Sequence, residues 1–178
     1  MLRHLTELSL QNNRLTAFLQ NLAHHEICLI NLQHLDLSSN RLQQVPKSIT
    51  KLPSLQTLGL AYNFIEDISL LCSNSLLRLE VLDVSNNKIT KVPTFINNLI
   101  SLSSLNIQNN ALKSIPYELG FMKELKNLKI EGNLLKRIRM SVIRKGSGAI
   151  LKYLRDLAPV NRKKKILMQE EIKEDIQY

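Results

Sequence analysis

The chain has 178 residues, 44% of them apolar, the size of one domain with ample material for a core. Two cysteines, Cys28 and Cys72, without CxxC spacing exclude a disulfide scaffold, and apolar runs no longer than residues 27–30 exclude a membrane-spanning helix. The net charge of +9 divides as +2 over residues 1–133, +10 over 134–165 and −3 over 166–178, so the basicity belongs to the end of the chain.

Met1 to His4 lead into the first ordered pattern with no polar capping helix before it. That pattern is LTELSLQNNRL (5–15), with leucines at Leu5, Leu8, Leu10 and Leu15 and an amide at Asn13. It recurs in register as LQHLDLSSNRL (32–42), LQTLGLAYNFI (55–65), LEVLDVSNNKI (79–89), LSSLNIQNNAL (102–112) and LKNLKIEGNLL (125–135). Within each frame apolar and polar residues alternate, the period of a strand buried on one face. The amide at the ninth place both donates and accepts, so Asn13, Asn40, Asn63, Asn87, Asn110 and Asn133 are expected to form a ladder of hydrogen bonds between turns. No single frame can bury its own leucines. Neighbours must therefore stack with parallel strands, which identifies the chain as a leucine-rich repeat solenoid of the α/β class. Such a solenoid has a curved inner sheet and an irregular or short-helical convex side. Without a cap at residues 1–4 the apolar edge of the first coil would lie in water. This reads as the C-terminal part of a longer solenoid, as an edge covered by something else, or as a frayed first repeat.

The segments between frames set the repeat length. Asn-to-Asn spacings are 27, 23, 24, 23 and 23. The first return, residues 16–31, is the long one, and Phe18, Leu19, Leu22 and Glu26 at helical spacing predict a convex-side helix. Its His24, His25 and Cys28 lack a second ligand pair, so no metal is expected. Residues 42–55, 89–102 and 112–125 share LxxVPxxIxxLxxL, with Ile and Leu as variants, and place Pro46, Pro93 and Pro116 where the chain turns toward the convex side. These three returns resemble the 23-residue class of intracellular, Ras-group-related leucine-rich repeat proteins. Residues 65–79 depart from the pattern, with Ser69 where proline would stand and one extra residue.

Residues 134–146 start another return without reaching a new strand, so residues 1–146 comprise six repeats and a partial seventh. In residues 147–159, Ser147 is placed to cap a helix whose Ile150, Leu151, Leu154 and Leu157 share one face, and Pro159 stops it. This helix is expected to close the edge of the sixth repeat. Residues 131–156 resemble the closing segment of leucine-rich repeat-containing protein 40 and its relatives, apart from Leu134, where that group often has proline. The resemblance implies protein–protein scaffolding and carries no catalytic residues. Residues 160–178 form a charged tail. Met168, Ile172 and Ile176 recur every four residues, but a basic N-terminal half and an acidic C-terminal half oppose the helix dipole, so the tail alone is expected to be disordered.

Function is expected on the concave sheet, where the residues between buried leucines face outward. The central column is Ser9, Asp36, Gly59, Asp83, Asn106 and Lys129, with Glu7, His34, Thr57, Val81, Ser104 and Asn127 on one side. On the other lie Gln11, Ser38, Ala61, Ser85, Gln108 and Glu131, then Asn12, Ser39, Tyr62, Asn86, Asn109 and Gly132. Gly59 and Ala61 beside Tyr62 suggest a shallow dip. Tyrosine is favoured at interface hot spots, so Tyr62, Asp36 and Asp83 lead a protein-binding set completed by His34, Ser38, Ser85, Asn106, Gln108 and Lys129. His34, Asp36 and Ser38 superficially offer a triad, but alternate strand positions lie about 6.7 Å apart, too far for nucleophile and base. The sequence therefore predicts a non-enzymatic adaptor with a protein partner, no cofactor and no small-molecule substrate. The alternative is binding of RNA or an acidic membrane through Lys136, Arg137, Arg139, Arg144, Lys145, Arg162, Lys163, Lys164 and Lys165, against which stands the absence of interleaved aromatics. Unpaired thiols and the lack of a signal sequence predict the cytoplasm, with the nucleus open to it through the basic run 162–165.

Overall fold

The computed structural model describes residues 2–19 and 29–176, with side chains through Met168. The predicted helix over Leu22 and Glu26, and the His24, His25 and Cys28 group, lie outside the described residues, as do the side chains of Ile172 and Ile176.

Each frame yields one short strand: β1 (Glu7–Ser9), β2 (His34–Asp36), β3 (Thr57–Gly59), β4 (Val81–Asp83), β5 (Ser104–Asn106) and β6 (Asn127–Lys129). They form one parallel sheet in chain order. The register aligns Ser9, Asp36, Gly59, Asp83, Asn106 and Lys129 in a single row. The middle residue of each strand is a leucine pointing inward, and from β2 onward these leucines are at most 1% exposed. Burying one stabilises by roughly 1.5–3 kcal/mol. In the first coil Leu5, Leu8, Leu10 and Leu15 remain half-buried, because β1 has a neighbour on one side only.

The amide ladder has five rungs that join coils. Asn40 Oδ1 accepts the Leu15 N–H at 3.0 Å, and its Nδ2 donates back to the Leu10 carbonyl at 2.9 Å. Asn63, Asn87, Asn110 and Asn133 repeat both contacts with the coil before them. Asn13 departs from the expected pattern. It is exposed and, among the described residues, donates within its own turn, to the carbonyls of Leu10 and Gln11.

Pro46, Pro93 and Pro116 each precede a 3-10 turn, over Lys47–Lys51, Thr94–Asn98 and Tyr117–Phe121, with φ between −63° and −73°. The ring sets the angle at which the chain enters the convex side. The divergent return starts its 3-10 turn, Ser69–Cys72, differently. Asp67 Oδ1 accepts both the backbone N–H and the hydroxyl of Ser69, at 2.8 and 2.6 Å, and so takes over the turn-setting role of the missing proline.

Three helices close the stack: α1 (Met140–Ile143), α2 (Ser147–Leu157) and α3 (Val160–Ile176). Helix α2 lies on the last repeat through Ile150, Leu151 and Leu154, while Leu157, expected on the same face, is 40% exposed. Ser147 is not the cap. Gly146, at φ +85°, occupies that position, and the Ser147 hydroxyl instead accepts the Leu128 N–H at 2.9 Å and donates to the Leu128 carbonyl at 3.1 Å. One side chain thereby fastens α2 to the outer edge of β6. Gly120 permits the approach, since a Cβ there would lie 2.8 Å from the Leu151 carbonyl. Residues 160–176 are helical, where the sequence alone leaves them disordered. Ile166 is buried and Arg162 pairs with the buried Glu118, and these contacts offset the unfavourable dipole.

Candidate functional site

The concave face starts from a backbone feature. The residue before every ladder asparagine has positive φ: Asn12, Ser39, Tyr62, Asn86, Asn109 and Gly132, at +51° to +71°. This left-handed region turns the chain sharply away from the strand and is tolerated by Asn and Gly. Tyr62 is the aromatic exception, and its side chain is 62% exposed. The sequence signal for this column was its run of Asn, Ser and Gly. Read only as outward-facing polar residues, it concealed that Tyr62 sits in a backbone conformation tyrosine disfavours.

Polar side chains along the sheet are pre-ordered. Asp83 Oδ1 accepts the Ser85 N–H and hydroxyl at 2.9 and 2.7 Å, and Asp83 Oδ2 accepts Asn106 Nδ2 at 3.0 Å. Asn106 Oδ1 then accepts the Gln108 N–H at 3.2 Å, and Gln108 Nε2 donates to Glu131 at 2.8 Å. A continuous network thus spans β4 to β6. Nearer β1, Asp36 Oδ1 accepts the Ser38 N–H at 2.8 Å. The Asp36 carboxylate also leans over Gly59, where a Cβ would stand 2.7 Å from Oδ1.

The predicted residues therefore divide. His34, Asp36, Ser38, Asp83, Asn106 and Gln108 lie partly exposed on one face, Tyr62 and Lys129 are exposed beside them, and Ser85 is buried under Asp83. Ser85 is thus a brace for Asp83 and offers no contact surface. The expected dip at Gly59 is filled by the Asp36 carboxylate. In the superficial triad, Asp36 binds the backbone of Ser38 and not its hydroxyl. Phe64, not singled out in the sequence, is 45% exposed just past Asn63, with Lys88 Nζ 5.2 Å from its ring centroid. Phe64 lies on the return side, where it lines a hollow with Val45, Leu70 and Lys88, so Tyr62 is the exposed aromatic of the concave columns.

The basic end is less uniform than its sequence. Arg162 is paired with Glu118, Lys163 Nζ reaches the Asp156 carbonyl at 3.4 Å, and Arg137 contacts the Tyr117 hydroxyl at 3.5 Å. Lys136, Arg139, Arg144, Lys145, Lys164 and Lys165 are exposed. Cys72 is a free, buried thiol whose pKa is pushed up to about 12 by desolvation and then by the charge of Asp67. Among the described residues no three His, Cys, Asp or Glu side chains gather as a metal would require.

Residues 2–172 match a family model described as a leucine-rich repeat region. Among curated proteins, a probable serine/threonine-protein kinase of Dictyostelium discoideum is 44% identical over 68 residues, covering 38% of this chain and 5% of that protein. Toll-like receptor 10 of Bos taurus is 52% identical over 59 residues, covering 33% of this chain and 7% of the receptor. Among solved structures, an LRR protein of Leptospira interrogans superposes with a TM-score of 0.69 at 33% identity, over 81% of this chain and 36% of that one. The chain spans a small part of the length of each.

Proposed function

The chain belongs to the leucine-rich repeat family, and we propose that it is an adaptor module whose concave sheet, with the exposed Tyr62, binds another protein. The observation that carries this reading is Tyr62, an exposed aromatic held at φ +54° in a column otherwise built of Asn, Ser and Gly. Retaining a strained, solvent-facing tyrosine has a cost in stability, and such outliers gather at functional sites. Around it Asp36 and Asp83 present carboxylates already oriented by backbone and side-chain hydrogen bonds, so little ordering entropy is lost when a partner engages them. The partner's contact therefore centres on Tyr62, with Asp36 and Asp83 receiving its donors. The proline-led 3-10 turns support membership of the 23-residue class, and the α2 cap supports likeness to the leucine-rich repeat-containing protein 40 group. Cys72, an unpaired thiol inside the core, supports a reducing compartment, cytoplasm or nucleus.

Affinity capture with cross-linking mass spectrometry tests the proposal, because it names the partner and the face together. Cross-links to the partner should cluster beside Lys88 and Lys129, and Tyr62→Ala with Asp83→Ala should release it. A partner cross-linked only through the convex side, and retained by the double variant, would overturn the assignment.

A further inference from the structure

A second concavity is built from the return segments and the α2–α3 junction, with no strand residue in its lining. Its volume is about 420 Å³, within the roughly 300–1,000 Å³ of sites that hold a small ligand or an anchoring side chain. The walls are apolar, including Val92, Ile115, Leu135, Ile138 and the exposed Leu157 and Pro159. Four cations also line it, Lys91, Lys113, Arg137 and Arg162, against the single carboxylate of Glu118. Because Arg162 pairs with Glu118, three positive charges of the lining have no carboxylate partner among the described residues. Lys91 and Lys113 are exposed and form no ion pair among the described residues. Arg137 is held in place: its guanidinium meets the Tyr117 hydroxyl at 3.5 Å, and its carbonyl accepts the Tyr153 hydroxyl at 2.7 Å.

We propose that this cavity, bounded by Lys91, Lys113, Arg137 and Leu157, is a docking site for an acidic peptide segment that carries an apolar anchor residue. The apolar walls take the anchor, and Lys91, Lys113 and the pre-positioned Arg137 meet carboxylates on its flanks. Charge complementarity selects the sign of the partner, and the apolar lining selects an anchor side chain. A concavity of this size suits a side chain better than a flat bilayer surface, and the one aromatic in its lining, Tyr117, is engaged through its hydroxyl by Arg137, where stacking of nucleic-acid bases calls for several open rings. The site is independent of the concave face and does not rest on Tyr62.

The test is fluorescence anisotropy of the full chain with a labelled hexapeptide, Glu-Glu-Leu-Leu-Glu-Glu, beside Gln-Gln-Leu-Leu-Gln-Gln and Glu-Glu-Gly-Gly-Glu-Glu. The first should bind and both controls should bind at least about tenfold more weakly, one for want of charge and the other for want of an anchor. K91E with K113E, and separately Leu157→Asp, should each weaken the first peptide by about tenfold or more. The neutral pair Lys91→Gln and Lys113→Gln, compared at matched thermal midpoint, guards against a folding defect. Tyr62→Ala should leave the affinity unchanged. Equal binding of the glycine peptide, or wild-type affinity in the lysine variants, would overturn the proposal. So would phosphatidylserine vesicles or a 20-nucleotide RNA binding through the same lysines in preference to the peptide.

Discussion

Tyr62 and Asn63 are adjacent yet answer to opposite demands. At φ +54°, tyrosine has a cost that asparagine or glycine largely avoids. Tyr62→Asn should therefore raise stability by about 1 kcal/mol in urea denaturation, while weakening partner capture. Asn63 accepts the Leu42 N–H and donates to the carbonyls of Leu37, Leu60 and Ala61 from a buried position. Asn63→Ala should cost about 1–3 kcal/mol, whereas the same change at exposed Asn13 should cost less than about 1 kcal/mol. Calorimetric midpoints for the two variants check this contrast. Cys72 adds a pH dependence. The folded thiol, raised from 9.0 to about 12, holds its proton where the unfolded thiol has lost it. Its contribution is intact below pH 9 and falls away between 9 and 12, since there the unfolded chain binds fewer protons. Cys72→Ala should flatten the fall in urea midpoint across that window. The ladder was legible in the sequence because one residue type recurs at one frame position. The strain at Tyr62 was not, because nothing local marks its φ as positive.

Among the elements, the strands and proline-led turns followed from spacing alone, since Leu alternation and proline geometry act within a few residues. The capping helix is different. Its limits were legible, but the role given to Ser147 was not. A serine before an apolar run satisfies the local rule for a cap, yet its hydroxyl serves a strand nineteen residues earlier. Long-range partners of that kind leave no periodic trace. Ser147→Ala should unpair the Leu128 N–H and cost about 1–3 kcal/mol, seen as a lower midpoint with faster amide exchange at β6. Gly120→Ala should act on the same joint from the other side. Its new Cβ, 2.8 Å from the Leu151 carbonyl, must push α2 outward, costing about 1–3 kcal/mol. Helix α3 escaped the sequence reading for a related reason. Its anchor, Glu118, is far away in the chain and is identifiable only once the coils are stacked.

Across the whole molecule, stability is distributed as in a row of coupled units, each held by its neighbours. Hydrogen exchange should be slowest in β3, β4 and β5, which have paired strands and buried leucines on both sides, and fastest in β1 with its half-buried coil. Uniform protection from β1 to β6 would contradict a stack coupled through nearest neighbours. The concave columns were readable at this scale, because a strict frame fixes which residues face outward. The cavity at the α2–α3 junction was not, since its walls come from three returns and two helices that only the superhelix brings together.

The hydroxyl of Ser147 bears on how strand edges of two copies could meet. It occupies both the donor and the acceptor that β6 turns outward at Leu128, so that rim offers no template for an incoming chain. A fibre grown by edge pairing needs two sticky ends, head to tail. With the β6 end occupied at Leu128, head-to-tail growth through the sheet should not run on into a filament.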